Sequence, residues 1–158
     1  MIRNINYKGH VSQDELSKFA FTRVKAPYQL IIPVQNVGKL LLFPSGKCRL
    51  MGLKQPFSKN IQLPLKIYDM EIQSITVTYN VGFQINILAL ACQMPPRERM
   101  YEPELFPALR MNKFNPVCVN VFSSGKIVIL GLKDLAYQNI LNAIDQELRV
   151  YIPQSMIL

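Results

Sequence analysis

Histidine is almost absent from this chain: His10 stands alone among 158 residues. Neither a Ser-His-Asp triad nor a multi-histidine metal site is then within reach. Cysteine is scarce as well. Cys48, Cys92 and Cys118 are odd in number and share no CxxC spacing, which argues against a disulfide framework and a zinc site and fits a reducing compartment. All three are expected to be buried and inert. Acidic residues are few, 10 Asp and Glu against 18 Lys and Arg, and the net charge of +8 favours a polyanionic partner. No run of five like charges makes a basic tail. No apolar run is long enough to span a membrane; INILALAC at 85–92 falls well short, and the opening MIRNINYKGH has no signal core. There is no GxxxxGK[ST] phosphate loop and no nucleophile beside a plausible base. The expectation is a binding protein, not an enzyme, with no cofactor, no metal and no membrane partner.

What the chain does have is a hydrophobic content of 49%, enough for a real core, and an internal duplication. FPSGK at 43–47 followed by MGLK at 51–54 matches FSSGK at 122–126 followed by LGLK at 130–133, with an offset of 79 residues throughout. Ile72-Gln73-Ser74-Ile75 echoes Ile2-Arg3-Asn4-Ile5 at an offset of 70.

Taken in order, residues 2–9 alternate, with Ile2, Asn4 and Asn6 on one face and Arg3, Ile5 and Tyr7 on the other, a strand with one polar face. His10, beside Gly9, falls at a strand end or turn. Ser12 and Glu15 form a capping box that predicts a helix over 13–21 burying Leu16, Phe19 and Ala20. Strands are predicted over 28–34 and 38–43, joined by a turn at 36–38, with Pro33 marking the first as irregular or at an edge. A tight turn at 44–47 leads into a strand over 48–52. Residues 53–70 read as an apolar connector in which Pro56 and Pro64 limit any helix to a turn or two. A second alternating strand spans 71–81, and a helix over 85–93 is broken by Met94-Pro95-Pro96. Further strands are predicted over 109–112, 117–122 and 127–130. A helix over 134–151 carries Leu135, Ile140, Leu141, Ile144 and Leu148 on one face, with Asp134 at its start and Pro153 beyond its end. The pattern is a sheet with helices on one face and a ligand on the other.

YEPELFP at 101–107, then Arg110, then VFSSGKIVILGLK at 121–133, resembles the second repeat of the TATA-box-binding protein family. FPSGKCRLMGLK resembles the corresponding part of the first repeat, and EIQSI at 71–75 the strand that opens the second. The resemblance is strong over 71–143 and weak over 1–37. It implies an α+β fold: a pseudo-twofold saddle with one curved antiparallel sheet of about ten strands and helices on the convex face. Residues 1–70 are then a degenerate first repeat and residues 71–158 the second. It further implies promoter DNA as ligand, bound and bent from the minor groove; this family is itself a standard example of wedge insertion between base steps. Phe43, Phe106 and Phe122 match three of the four wedges. The fourth falls on Ala26, with Tyr28 as a substitute if the loop is shifted. Asn4 matches one central asparagine, and Ser74 stands where the other is expected. Flanking groove positions map to Asn6, Leu41, Arg49, Met51, Thr76, Asn120, Val128 and Leu130, a more polar face than the family pattern. Ser45, Lys47, Arg110, Ser124 and Lys126 match phosphate contacts, which position without reading sequence.

Glu102, Glu104 and Leu105 match the loop that in the family docks transcription factor IIB, so a transcription factor IIB-like protein and the RNA polymerase machinery are the implied partners. The first-repeat convex helix is replaced by the connector, so docking of transcription factor IIA is not implied. The drift resembles that of the fold in large DNA viruses or fast-evolving lineages, which points to the nucleus or to a cytoplasmic viral factory. The alternative is a protein-interaction scaffold in a transcription complex whose DNA face has decayed, motivated by Ala26, Ser74 and Arg49. Reuse of the fold as an enzyme lacks a catalytic constellation.

Overall fold

The computed structural model describes residues 1–19 and 29–152. The fold is α+β. Nine strands are ordered β2-β3-β4-β1-β5-β9-β8-β7-β6 among the described residues, one fewer than the roughly ten expected. The chain divides into two compact units, residues 2–75 and residues 76 onward with Met1.

In the first unit, β1 (Ile2–His10) pairs antiparallel with β4 (Lys47–Leu53), β4 with β3 (Gly38–Leu42), and β3 with β2 (Leu30–Val34). Alternation decides which side is buried. Ile5, Leu40, Leu42, Leu50 and Leu53 are at most 1% exposed, while Asn4, Asn6, Leu41, Arg49 and Met51 point the other way. Among the described residues β2 is an edge strand, the place where a sheet tolerates the missing N–H of Pro33. Gln35 and Asn36, at φ +39 and +60, form the turn into β3, closed by the Val37 N–H donating to Val34 O at 2.8 Å.

Ser12 caps α1 (Gln13–Leu16), its Oγ accepting from Glu15 N at 3.3 Å. The helix stops at Leu16, short of the expected 21. Ser17 Oγ donates back to Asp14 O at 2.7 Å, a local bond that competes with helix propagation. Ala20 and residue 21 lie outside the described residues. The connector 54–67 holds neither helix nor strand. It closes over the core through Phe57, whose N–H donates to Tyr7 Oη at 2.9 Å and whose ring meets the Tyr7 ring edge-on at 6.2 Å. Leu65 is buried beside it in sequence.

In the second unit, β9 (Lys126–Leu132) pairs antiparallel with β8 (Cys118–Val121), β8 with β7 (Leu109–Met111), and β7 with β6 (Arg99–Met100). β5 (Tyr68–Asn80) starts three residues earlier than the alternation predicts and contributes to both units. Leu109, Met111, Val119, Val121, Ile127 and Ile129 are fully buried. α2 (Ile87–Gln93) begins behind Asn86, whose Oδ1 accepts from Ala89 N. α3 (Gln138–Tyr151) begins four residues later than expected. Asp134 Oδ1 instead accepts from Ala136 N at 2.8 Å, an Asx turn that holds the chain out of helix and leaves Leu135 41% exposed. Ile144 and Leu148 carry the helix into the core. Pro153 lies outside the described residues.

The registers repeat. Leu30↔Leu42 and Leu41↔Arg49 recur 79 residues on as Leu109↔Val121 and Asn120↔Val128. The turns recur with them: Gly46 N donates to Phe43 O and Phe43 N to Lys47 O, as Gly125 N does to Phe122 O and Phe122 N to Lys126 O. Both turn glycines have φ near +80, and a Cβ there would press on Val11 O and Phe83 O respectively. Only glycine satisfies the turn.

The cysteines differ from expectation. Cys48 is buried, and burial pushes its thiol up to about 11. Cys118 is half-buried, and Cys92, on the outer side of α2, is exposed.

Candidate functional site

The second unit presents two outward rows set by register. Arg110 faces Asn120, Asn120 faces Val128, and Cys118 faces Leu130 across adjacent strands. Because Leu109 pairs with Val121, the chain before Leu109 and the chain after Val121 leave the sheet at the same end. That brings Phe106 and Phe122 together, ring centroids 5.9 Å apart and inclined at 71°. Phe106 is 41% exposed and Phe122 half-buried. Lys126 Nζ lies 6.0 Å from the Phe122 ring centre, and Ser124 is exposed in the turn between them. Thr76, between the buried Ile75 and Val77, faces away from the core.

Asn120 departs from its expected role. It holds its place in the row but is only 6% exposed, with Cys118 Sγ 3.7 Å from its Oδ1. Its amide oxygen thus has a partner within the unit. Preceding Phe106, Leu105 N and Phe106 N both donate to Glu102 O at 2.9 Å. This turn leaves Glu102 and Glu104 exposed and Leu105 80% exposed.

In the first unit the matching rows are Ile31, Leu41, Arg49 and Lys8 in one line and Lys39 with Met51 in the next. Phe43, Ser45, Lys47 and Arg49 line a cavity of about 740 Å³ with Lys8 and His10. Asp69 and Glu71 also line it, and Glu71 pairs with Lys8 at 2.8 Å. Lys8 has no assignment from the sequence and His10 only its place at a strand end or turn, although the alternation that places Asn4 and Asn6 outward places both there too. Asn4, Leu41 and Met51 line a second cavity of about 980 Å³ with Ile31, Val37 and Ile61. Asn4, Asn6 and Ser74 are half-exposed and joined by hydrogen bonds through Gly52. Ala26 and Tyr28 lie outside the described residues. Matching Ala26 to Phe106 uses an offset of 80, one more than β2 and β7 show.

Among the described residues no group of three His, Cys, Asp or Glu side chains is placed to hold a metal ion, and no helix is long and apolar enough to cross a membrane.

Residues 69–148, 80 of the 158, match the sequence profile of the family described as transcription factor TFIID, or TATA-binding protein. The chain belongs to the TATA-binding protein family. The chain is 33% identical over 108 residues to TATA-box-binding protein E of Halobacterium salinarum, covering 60% of this chain and 58% of that protein. It is 38% identical over 107 residues to TATA-box-binding protein 1 of Arabidopsis thaliana, covering 59% and 52%. With TATA box-binding protein-like 2 of Mus musculus it shares 31% over 107 residues, covering 60% and 31%. The chain therefore spans less than two thirds of the length of these relatives. The solved structure of Methanococcus jannaschii TBP superposes with a TM-score of 0.68 over 95% of this chain and 96% of that one, at 24% identity. The family profile thus falls on β5 to α3, while the fold likeness extends over almost the whole chain.

Proposed function

We propose that this chain is a DNA-binding transcription initiation factor that bends promoter duplex from the minor groove and recruits a transcription factor IIB-like partner. In this reading residues 1–70 and 71–158 are the two repeats of the family. Phe106, Phe122 and Phe43 wedge between base steps. Lys47, Lys126 and Arg110, with Ser45 and Ser124, hold phosphates. Glu102, Glu104 and Leu105 hold the partner and, through it, the polymerase. The role is binding, without catalysis.

The observation that carries the reading is the Phe106–Phe122 pair, two flat apolar rings in mutual contact beside an outward row with a lysine over one of them. Unstacking a base step costs a few kcal/mol, which rigid aromatic faces offset by stacking. An AT-rich duplex with fluorophores at both ends tests it. Adding the wild-type protein is expected to raise energy transfer. Phe106→Ala with Phe122→Ala is expected to abolish the change and weaken binding by roughly tenfold or more, since each base–aromatic stack is worth ~1–3 kcal/mol. No transfer change with wild type refutes the bending.

Burial of Asn120 and the Lys8–Glu71 pair favour a second reading, a scaffold with a reduced DNA face. It predicts partner capture without any duplex binding.

A further inference from the structure

Across the β1–β4 ladder Lys8 faces Arg49 and His10 faces Lys47, so the outward face of the first unit gathers basic side chains at the end of β1. The start of β5 brings two acids to the same place. Gly9, between Lys8 and His10, permits the approach: a Cβ there would lie 2.5 Å from Ile67 Cγ2 and 2.9 Å from Tyr68 O. Asp69 adopts φ +51, a left-handed backbone that aspartate tolerates better than most residues. Glu71 follows two residues on, exposed like Asp69. Both acids line the cavity of about 740 Å³ with Lys8, Lys47, Arg49 and Phe43. Glu71 Oε1 lies 2.8 Å from Lys8 Nζ, with the two side chains 65% and 53% exposed. A pair so exposed is screened by water and salt and is readily exchanged for another of the same charges.

We propose that Lys8 is a phosphate-binding residue whose site Glu71 fills while the chain is free of DNA. The inference rests on the DNA-binding reading above and deepens it. To an ammonium group a carboxylate and a phosphate offer the same chemistry, oxygen atoms that carry negative charge. The duplex offers more besides. Its phosphates hold condensed cations that are released on contact, an entropic gain that a single carboxylate lacks. Phosphate therefore displaces Glu71 at low salt. Once displaced, Glu71 stays beside the duplex with Asp69 and repels it. Phe43 lines the same cavity, so the contact falls on a nucleotide flanking the proposed Phe43 step. Glu71 thereby weakens the hold of the first unit without removing any of its cations.

The test is the affinity of the whole chain for an AT-rich duplex over a salt series. Lys8 and Glu71 are both more than half exposed, so substitution leaves the core intact. Glu71→Gln keeps the size of the side chain and removes its charge. It is expected to tighten binding about threefold at low salt and to steepen the slope of log K against log salt, because the repulsion it removes is screened at high salt. Adding Lys8→Ala to Glu71→Gln is expected to cancel the gain and lower the slope by about one unit, as one lost phosphate contact does. Asp145→Asn is the charge control. It also raises the net charge by one, but it releases Arg149 from a 2.7 Å pair on α3, whose Ile144 and Leu148 pack into the core of the second unit. It is expected to shift affinity by less than about 1.5-fold. If Asp145→Asn tightens binding as much as Glu71→Gln, the gain is net charge alone and the site is refuted. If Lys8→Ala leaves the slope of the Glu71→Gln chain unchanged, Lys8 touches no phosphate, while the DNA reading stands. If neither wild type nor Glu71→Gln binds the duplex, the DNA reading falls and takes this inference with it.

Discussion

At the residue scale, burial governs two ionisable groups. Burial raises Cys48 from an ordinary 9 to about 11. Tyr79 rises from 10 to about 12, first through burial and then through Asp145, with Arg149 opposing. Its hydroxyl has no hydrogen-bond partner among the described residues. Both groups bind their proton more tightly folded than unfolded, so the stability they confer is complete below pH 9 and lost as pH rises through 11 and then 12. Equilibrium unfolding in urea from pH 8 to 11 is expected to show falling stability, and Cys48→Ala with Tyr79→Phe is expected to flatten the fall. Lys126 and Phe122 are separated by their proposed roles instead. Removing a phosphate contact lowers the salt slope of binding, whereas removing a wedge changes the bent state itself. Lys126→Ala is expected to reduce the slope of log K against log salt by about one unit. Phe122→Ala is expected to cost more affinity at every salt concentration and to alter the bend seen by energy transfer.

At the element scale, α3 separates what the sequence discloses from what it hides. The periodicity of Ile140, Leu141, Ile144 and Leu148 announces a helix, and Ile144 and Leu148 are its buried face. The start is hidden because Asp134 reads equally as an N-terminal acid and as an Asx turn, and the Ala136 N–H decides for the turn. Ile144→Ala is therefore expected to cost about 2–4 kcal/mol, and Leu135→Ala no more than about 0.5 kcal/mol, by thermal unfolding. A helix reaching back to residue 134 would make Leu135 the costlier of the two. The strands were legible for a different reason. Two copies of one pattern fix each other's register, and the offset of 79 residues in FPSGK and FSSGK reappears in every pair of the β7–β8–β9 ladder, each of which has its counterpart in β2–β3–β4. Asn120 was not legible. Alternation states which way a side chain points, not whether neighbours close over it, and at 6% exposure they do. The same limit hid the hydrogen bonds from Gly52 N to Asn4 and Asn6, which lie beside a register shift between Ile5 and Tyr7 that no periodicity announces.

At the scale of the whole chain, charge is unevenly spent. Eighteen cations face ten acids, yet Glu102 and Glu104 stand exposed within three residues, next to a Leu105 that is 80% exposed. In a protein whose partner is polyanionic, carboxylates on the DNA-contacting surface are repelled by phosphate. An exposed leucine directly after two carboxylates instead has the makeup of a protein contact, an apolar anchor with charges that select the partner. The Phe106 ring follows directly, so one short segment carries both the proposed wedge and the acids, and the two proposed roles are separable only by mutation. Glu102→Arg with Glu104→Arg adds positive charge near the duplex, so DNA affinity is expected to hold or rise slightly in a mobility-shift assay. Supershift by a transcription factor IIB-like protein is expected to fall by roughly tenfold or more, because reversal replaces attraction with like-charge repulsion. Loss of duplex binding in this variant places the loop on the DNA side, and the partner assignment fails while the wedge assignment, tested through Phe122, is left standing.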